Sequence, residues 1–154
     1  MSAFFLDSSA LAKRYVSEPG SAWIQAITTP EAHHQIVIAR IAWVEVLSAL
    51  ARRQREVSLP SADVLQAIRS FRYDLDTQYQ VVEVSRQLVD AAGELVFHHP
   101  LRAYDAVQLA SALQIHAALS LAAAAPLVFV SADDRLIVAA QAEGISTDNP
   151  KSYV

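Results

Sequence analysis

Four carboxylates in this chain stand where a carboxylate is costly. Asp7 ends the apolar run Ala3-Phe4-Phe5-Leu6 and is followed by Ser8 and Ser9. Glu45 lies in Ile41-Ala42-Trp43-Val44-Glu45-Val46-Leu47, Asp105 in Ala103-Tyr104-Asp105-Ala106-Val107, and Asp133 in Val130-Ser131-Ala132-Asp133-Asp134. An acid in apolar surroundings has to be paired, protonated or bound to a metal. Plainer readings exist for each. Asp7, Ser8 or Ser9 can cap the helix that follows, and so can Asp133 or Ser131 for the last helix. Arg102, three residues before Asp105, can form a helical ion pair with it. Glu45 has no Lys or Arg within a helical turn; Arg40 and Arg52 lie further out.

The elements that would position these acids can be read from hydrophobic spacing. Ala3 to Leu6 is short and apolar, as a strand buried on both faces would be. A helical segment runs on to about Val16, and after the Glu18-Pro19-Gly20-Ser21 turn, Ser21 is expected to cap a helix carrying Trp23, Ile24 and Ile27. Gln35 to Ala39 reads as strand two, Gln80 to Val84 as strand three, Leu127 to Val130 as strand four and Ile145 to Thr147 as a short last strand. Helices are expected over 41–55, from Ser61 to Gln78, over 86–96, over 102–121 and over 133–143, the last ending at Gly144. Strands alternating with helices predict a parallel sheet covered on both faces. Strand order does not follow from the pattern.

In such a sheet Asp7 and Asp133 both follow strands and share one edge, where open α/β sheets bind ligands. Glu45 and Asp105 come early in their helices and can reach the same cleft. Two carboxylates about 4 Å apart repel by roughly 4 kcal/mol at an effective dielectric of 20. A hard divalent cation removes that conflict. Oxygen donors suit Mg²⁺ or Mn²⁺, and no Cys or His cluster suggests zinc. Ions of this kind activate water and stabilise charge on a phosphate during hydrolysis.

The segments Phe5-Leu6-Asp7-Ser8-Ser9-Ala10-Leu11, Trp43-Val44-Glu45-Val46-Leu47-Ser48-Ala49-Leu50, Leu101-Arg102-Ala103-Tyr104-Asp105-Ala106-Val107-Gln108 and Phe129-Val130-Ser131-Ala132-Asp133-Asp134-Arg135-Leu136, in this order, resemble a PIN-domain ribonuclease. The likeness is greatest to the VapC-like toxins of type II toxin–antitoxin pairs, and it spans residues 1–154 as a single domain. It implies a three-layer α/β/α sandwich with a parallel sheet of four to five strands, and Mg²⁺- or Mn²⁺-dependent endonucleolytic cleavage of RNA. The resemblance places the catalytic and metal-holding acids at Asp7, Glu45, Asp105 and Asp133, with Ser131 helping to hold the site. Asp134 stands next to Asp133, and the family pattern favours Asp133. A cognate antitoxin, a homodimer and a cytoplasmic location are further implications.

Composition is compatible with this and narrows the rest. The chain has 154 residues, no cysteine and a net charge of −4. Disulfides and thiolate metal sites are excluded. No signal peptide is expected, and the most apolar later stretch, Leu119 to Val130, contains Pro126 and is too short to span a bilayer. Lys13, Arg14 and Arg102 could touch an RNA backbone or be solvated; Arg52, Arg53 and Arg55 cluster at a helix end, where they complement the dipole. His98 and His99 read as helix-end residues, and Trp23, Trp43 and Phe71 as core or interface. The helix from Ser61 is a candidate dimer or antitoxin surface. Two rival functions are a non-catalytic binding module of the same fold and a receiver-type signalling domain, the latter favoured by acids at strand ends and by Lys151 after the last strand. An aspartyl phosphatase would want an acid two residues after Asp7, where Ser9 stands.

Overall fold

A computed structural model describes residues 2–154. Five strands form one parallel sheet: β1 (Ala3–Leu6), β2 (Gln35–Ala39), β3 (Gln80–Val82), β4 (Leu127–Val130) and β5 (Ser146–Asp148), in the order β3-β2-β1-β4-β5. Seven α-helices connect them: α1 (Ser8–Tyr15), α2 (Ser21–Thr28), α3 (Ala42–Arg55), α4 (Ser61–Thr77), α5 (Arg86–His98), α6 (Ala103–Leu121) and α7 (Asp134–Ala142). Short 3₁₀ turns occupy Pro30–Ala32 and Pro150–Ser152.

The period-two alternation of β1 sorts the core into two clusters. Phe5 packs with Ala3, Phe129, Leu88, Leu95, Leu109 and Leu136, so α5, α6 and α7 cover one face. Leu6 packs with Leu11, Ile24, Ile38, Val46 and Phe71, so α1 to α4 cover the other. Phe5 and Phe129 are register partners on β1 and β4, and their rings stack 5.7 Å apart. The molecule is therefore the three-layer α/β/α sandwich expected, with five strands.

Strand order decides where a ligand can go. The chain winds from β1 outward through β2 to β3, then crosses back to the other side of β1 as β4. The winding reverses between β1 and β4, and such a switch point opens a crevice at the carboxyl ends of the two strands. The flavodoxin-like order of a receiver, 2-1-3-4-5, is different, and that rival is excluded.

Boundaries differ in detail from expectation. β3 stops at Val82, α5 runs on to His98, and β5 begins at Ser146. Ser21 is not the cap of α2. Gly20 holds that position with φ 92°, while the Ser21 hydroxyl accepts from Glu18 N and donates to Val16 O. Phe71 is fully buried, and Trp43 packs on it at 5.1 Å with Arg72 lying over its ring. His98 lies in the last turn of α5 and His99 is its C-cap, as helix-end residues would.

Candidate active site

All four acids sit at the N-termini of helices that converge on this crevice. Asp7 is the N-cap of α1 and Asp133 the N-cap of α7; Glu45 and Asp105 lie in the first turns of α3 and α6. Capping by Asp7 and Asp133 is thus compatible with both lining one cleft. Each helix dipole presents its positive end to the acid, which offsets part of the mutual repulsion. One cleft of about 930 Å³ is lined by Asp7, Glu45, Asp105 and Asp133 together. Asp134 is not among its walls; it accepts from Asn149 Nδ2 on the outer side.

Asp7 is the most constrained of the four. Its Oδ1 accepts from Ser9 Oγ at 2.7 Å and from Ala10 N at 2.9 Å, and its Oδ2 accepts from Ser131 Oγ at 2.6 Å. A carboxylate has about four acceptor directions, so one remains open. Burial nevertheless pushes its pKa up to about 6, against the hydroxyl and backbone donors that lower it, with Glu45 adding repulsion. No Lys or Arg pairs with it among the described residues.

Glu45 is held at both oxygens. Gln108 Nε2 donates to Oε1 at 2.7 Å and Ser8 Oγ donates to Oε2 at 3.1 Å. Burial raises its pKa too, and Asp105 repels it. The Arg102–Asp105 pair forms at 3.5 Å, but the Arg102 side chain is 85% exposed, so its attraction is largely screened. Among the described residues no three carboxylates or imidazoles are already gathered into a closed ligand set. The donor set is all carboxylate oxygen with an open acceptor direction on Asp7 and uncompensated negative charge. That chemistry fits a hard divalent cation that keeps several of its waters.

Three residues have roles that their types alone did not reveal. Gln108 is fully buried one turn after Asp105 and reaches Glu45 on another helix. Ser9 ties two strand ends together: it donates to Asp7 and accepts from Ala132 N at 2.9 Å. Ser8 neither caps nor stands idle, since it braces Glu45. Ser131 links two of the acids, donating to Asp7 and accepting from Asp133 N at 3.0 Å. Of the three basic residues read as backbone contacts or solvated, Arg102 is exposed and the other two are less so. Lys13 is buried and paired to Glu18 at 3.0 Å. Arg14 lines a separate groove between α1 and α4.

Comparison with known proteins adds to this geometry. Residues 4–142 match the family described as PIN domain. The chain is 32% identical over 115 residues to Ribonuclease VapC45 of Mycobacterium tuberculosis, covering 75% of this chain and 78% of that protein. A toxin-antitoxin complex from Klebsiella pneumoniae contains a chain of similar structure, with TM-score 0.62, 19% identity and coverage of 97% and 98% of the two chains. VapC20 of Mycobacterium tuberculosis, described as a Sarcin-Ricin loop cleaving toxin, superposes with TM-score 0.61 at 17% identity, covering 92% and 95%. The likeness to the two solved structures is one of fold.

Proposed function

The chain belongs to the PIN-domain family, and from that membership we propose that it is a divalent-metal-dependent endoribonuclease, the toxin of a toxin–antitoxin pair. The observation that carries this reading is the single cleft that takes Asp7, Glu45, Asp105 and Asp133 from four separate helix starts. The curated relative is named a ribonuclease, and a structural neighbour comes from a toxin-antitoxin complex; both support the reading. A cognate antitoxin protein, a homodimer and a cytoplasmic location belong to it. Among the described residues no helix is long and apolar enough to cross a membrane. The nuclease unit spans residues 1–154 as one domain.

Asp7, Glu45, Asp105 and Asp133 would hold Mg²⁺ or Mn²⁺. When bound, such an ion supplies an activated water and offsets the charge that builds on the phosphate oxygens. The protein's part is placement. Ser9 and Ser131 fix the Asp7 carboxylate from both sides, and Ala10 N holds it against the start of α1. Gln108 and Ser8 set the plane of Glu45. Asp133 is held toward the cleft by its bond to Arg135 N, leaving its other oxygen for the ion or its waters.

Incubating the purified chain with RNA and Mg²⁺ or Mn²⁺ tests the assignment. Internal cleavage is expected, abolished by a chelator. Asp7→Asn removes a direct ligand and should lower the rate by more than about a hundredfold, beyond the loss usual for an outer partner of a metal site. Undiminished cleavage by Asp7→Asn would refute the site, and a wild-type chain that binds RNA without cutting it would favour the non-catalytic reading.

A further inference from the structure

Beside the carboxylate cleft lies a second chamber of about 520 Å³, and the two are continuous: Lys13, Glu18, Arg52 and Lys151 line both. Charge in this chamber is unevenly satisfied. Glu18 pairs with Lys13 at 3.0 Å and with Arg53 at 3.5 Å, so one carboxylate serves two cations. Arg52 and Lys151 have no carboxylate partner among the described residues. In a chain of net charge −4, this is a local surplus of positive charge directly against a site of negative charge.

Complementing the α3 dipole does not account for it. Arg52, Arg53 and Arg55 all stand in the last turn, yet only Arg52 among them faces both spaces. Lys151 comes from the far end of the chain and is delivered there by the Pro150–Ser152 turn. That turn is held firmly. Pro150 is buried against Gly20, Asn149 Oδ1 accepts from Lys151 N at 2.9 Å, and Tyr153 stacks on Trp23 at 4.3 Å with the rings 2° from parallel. Lys151 also lies beyond residues 4–142, so the family match does not assign it a role.

We propose that this chamber is a phosphate subsite in which Arg52 and Lys151 bind the RNA phosphate next to the one being cleaved. The inference rests on the nuclease reading, because that reading puts the scissile phosphate at the carboxylates. A neighbouring phosphate on the same strand can then meet Arg52 and Lys151, which line the cleft without a carboxylate partner among the described residues. The substrate is accordingly a strand with at least one phosphate beside the scissile bond, and a dinucleoside monophosphate is a poor one.

Binding of a fluorescent single-stranded RNA by the full chain carrying Asp7→Asn, in Mg²⁺ and across a salt series, decides the matter. Each of Arg52→Gln and Lys151→Gln should make the slope of log affinity against log salt shallower by about 0.7, the value for one phosphate contact on a single strand. Affinity should fall roughly three- to tenfold for each. Arg55→Gln, outside both clefts, should leave slope and affinity as they are. Melting curves confirm that the variants fold. Slopes unchanged by Arg52→Gln and Lys151→Gln would overturn the proposal. So would a Glu-rich peptide that displaces the RNA with equal affinity through the same two residues. Wild-type cleavage is scored alongside: its absence would sink the nuclease reading, while the slopes still decide whether Arg52 and Lys151 grip phosphate.

Discussion

Asp7 is a candidate site residue that works against its own fold. Below the ordinary carboxylate range it is protonated in both the folded and unfolded chain and costs nothing. Between its ordinary value of 3.8 and about 6, the unfolded chain ionises while the folded one resists, so folding stability falls as pH rises. The full loss, reached above about pH 6, is of order 3 kcal/mol by the shift alone. Asp7→Asn should abolish that slope and stabilise the metal-free protein at pH 7 by about 1–2 kcal/mol, less than the full figure because an amide replaces an acceptor with a donor. Denaturant titrations at pH 4 to 7 in chelator, wild type against variant, measure it. Gln108 poses the complementary case. Gln108→Met keeps the volume but frees Glu45 Oε1, and should weaken Mn²⁺ affinity about 10- to 100-fold with the chain still folded. Mn²⁺ spin-resonance titration reads this without any turnover. The four acids could be picked out from their apolar neighbours alone. Gln108 could not, since an uncharged amide in an Ala-rich helix looks like any tolerated polar residue until its partner on another helix is known.

At the scale of elements, the short connections decide what the helices present. The period-two strands and the helices between them follow from apolar spacing, and their observed limits fall within a few residues of those read from it. The caps were harder. Ser, Asp and Gly all favour helix starts, and which of them takes the cap depends on what else each can bond. Ser21 gives up the cap because Val16 O and Glu18 N occupy its hydroxyl. Gly20 takes it at φ 92°, in a spot where an added Cβ would meet Pro150 O at 2.5 Å. Gly20→Ala should therefore destabilise by about 1–3 kcal/mol through strain and the displaced turn. Equilibrium unfolding gives the size. Loss of the Trp23–Tyr153 stacking signal in near-ultraviolet circular dichroism shows whether the C-terminal turn has come away.

The whole molecule shows why strand order escaped prediction and why it matters most. Hydrophobic pattern reports which face of an element is buried but not which neighbour buries it. The placement of β4 beside β1 is set by long-range packing such as the Phe5–Phe129 stack. That placement brings Asp7 and Ser131 within hydrogen-bonding distance across 124 residues of chain. A molecule assembled in this way should respond globally to a bound divalent ion. At a hundredfold excess over its dissociation constant, Mn²⁺ should add about 2.7 kcal/mol of stability, or roughly 5–10 °C in Tm for a chain of this size. Asp7→Asn should show little of that shift in the same thermal scan.

The parallel sheet has a practical corollary for anyone handling the protein. Every strand starts at the rim opposite the carboxylates, so Ala3 leads away from the reactive end while Tyr153 lies packed on Trp23, two residues past Lys151. An affinity handle or fluorescent fusion attached upstream of Ala3 hangs on the far side and leaves the mouth clear. The same appendage would start from Val154, three residues past Lys151, which lines the cleft, so the activity of that preparation is best compared with that of one tagged upstream.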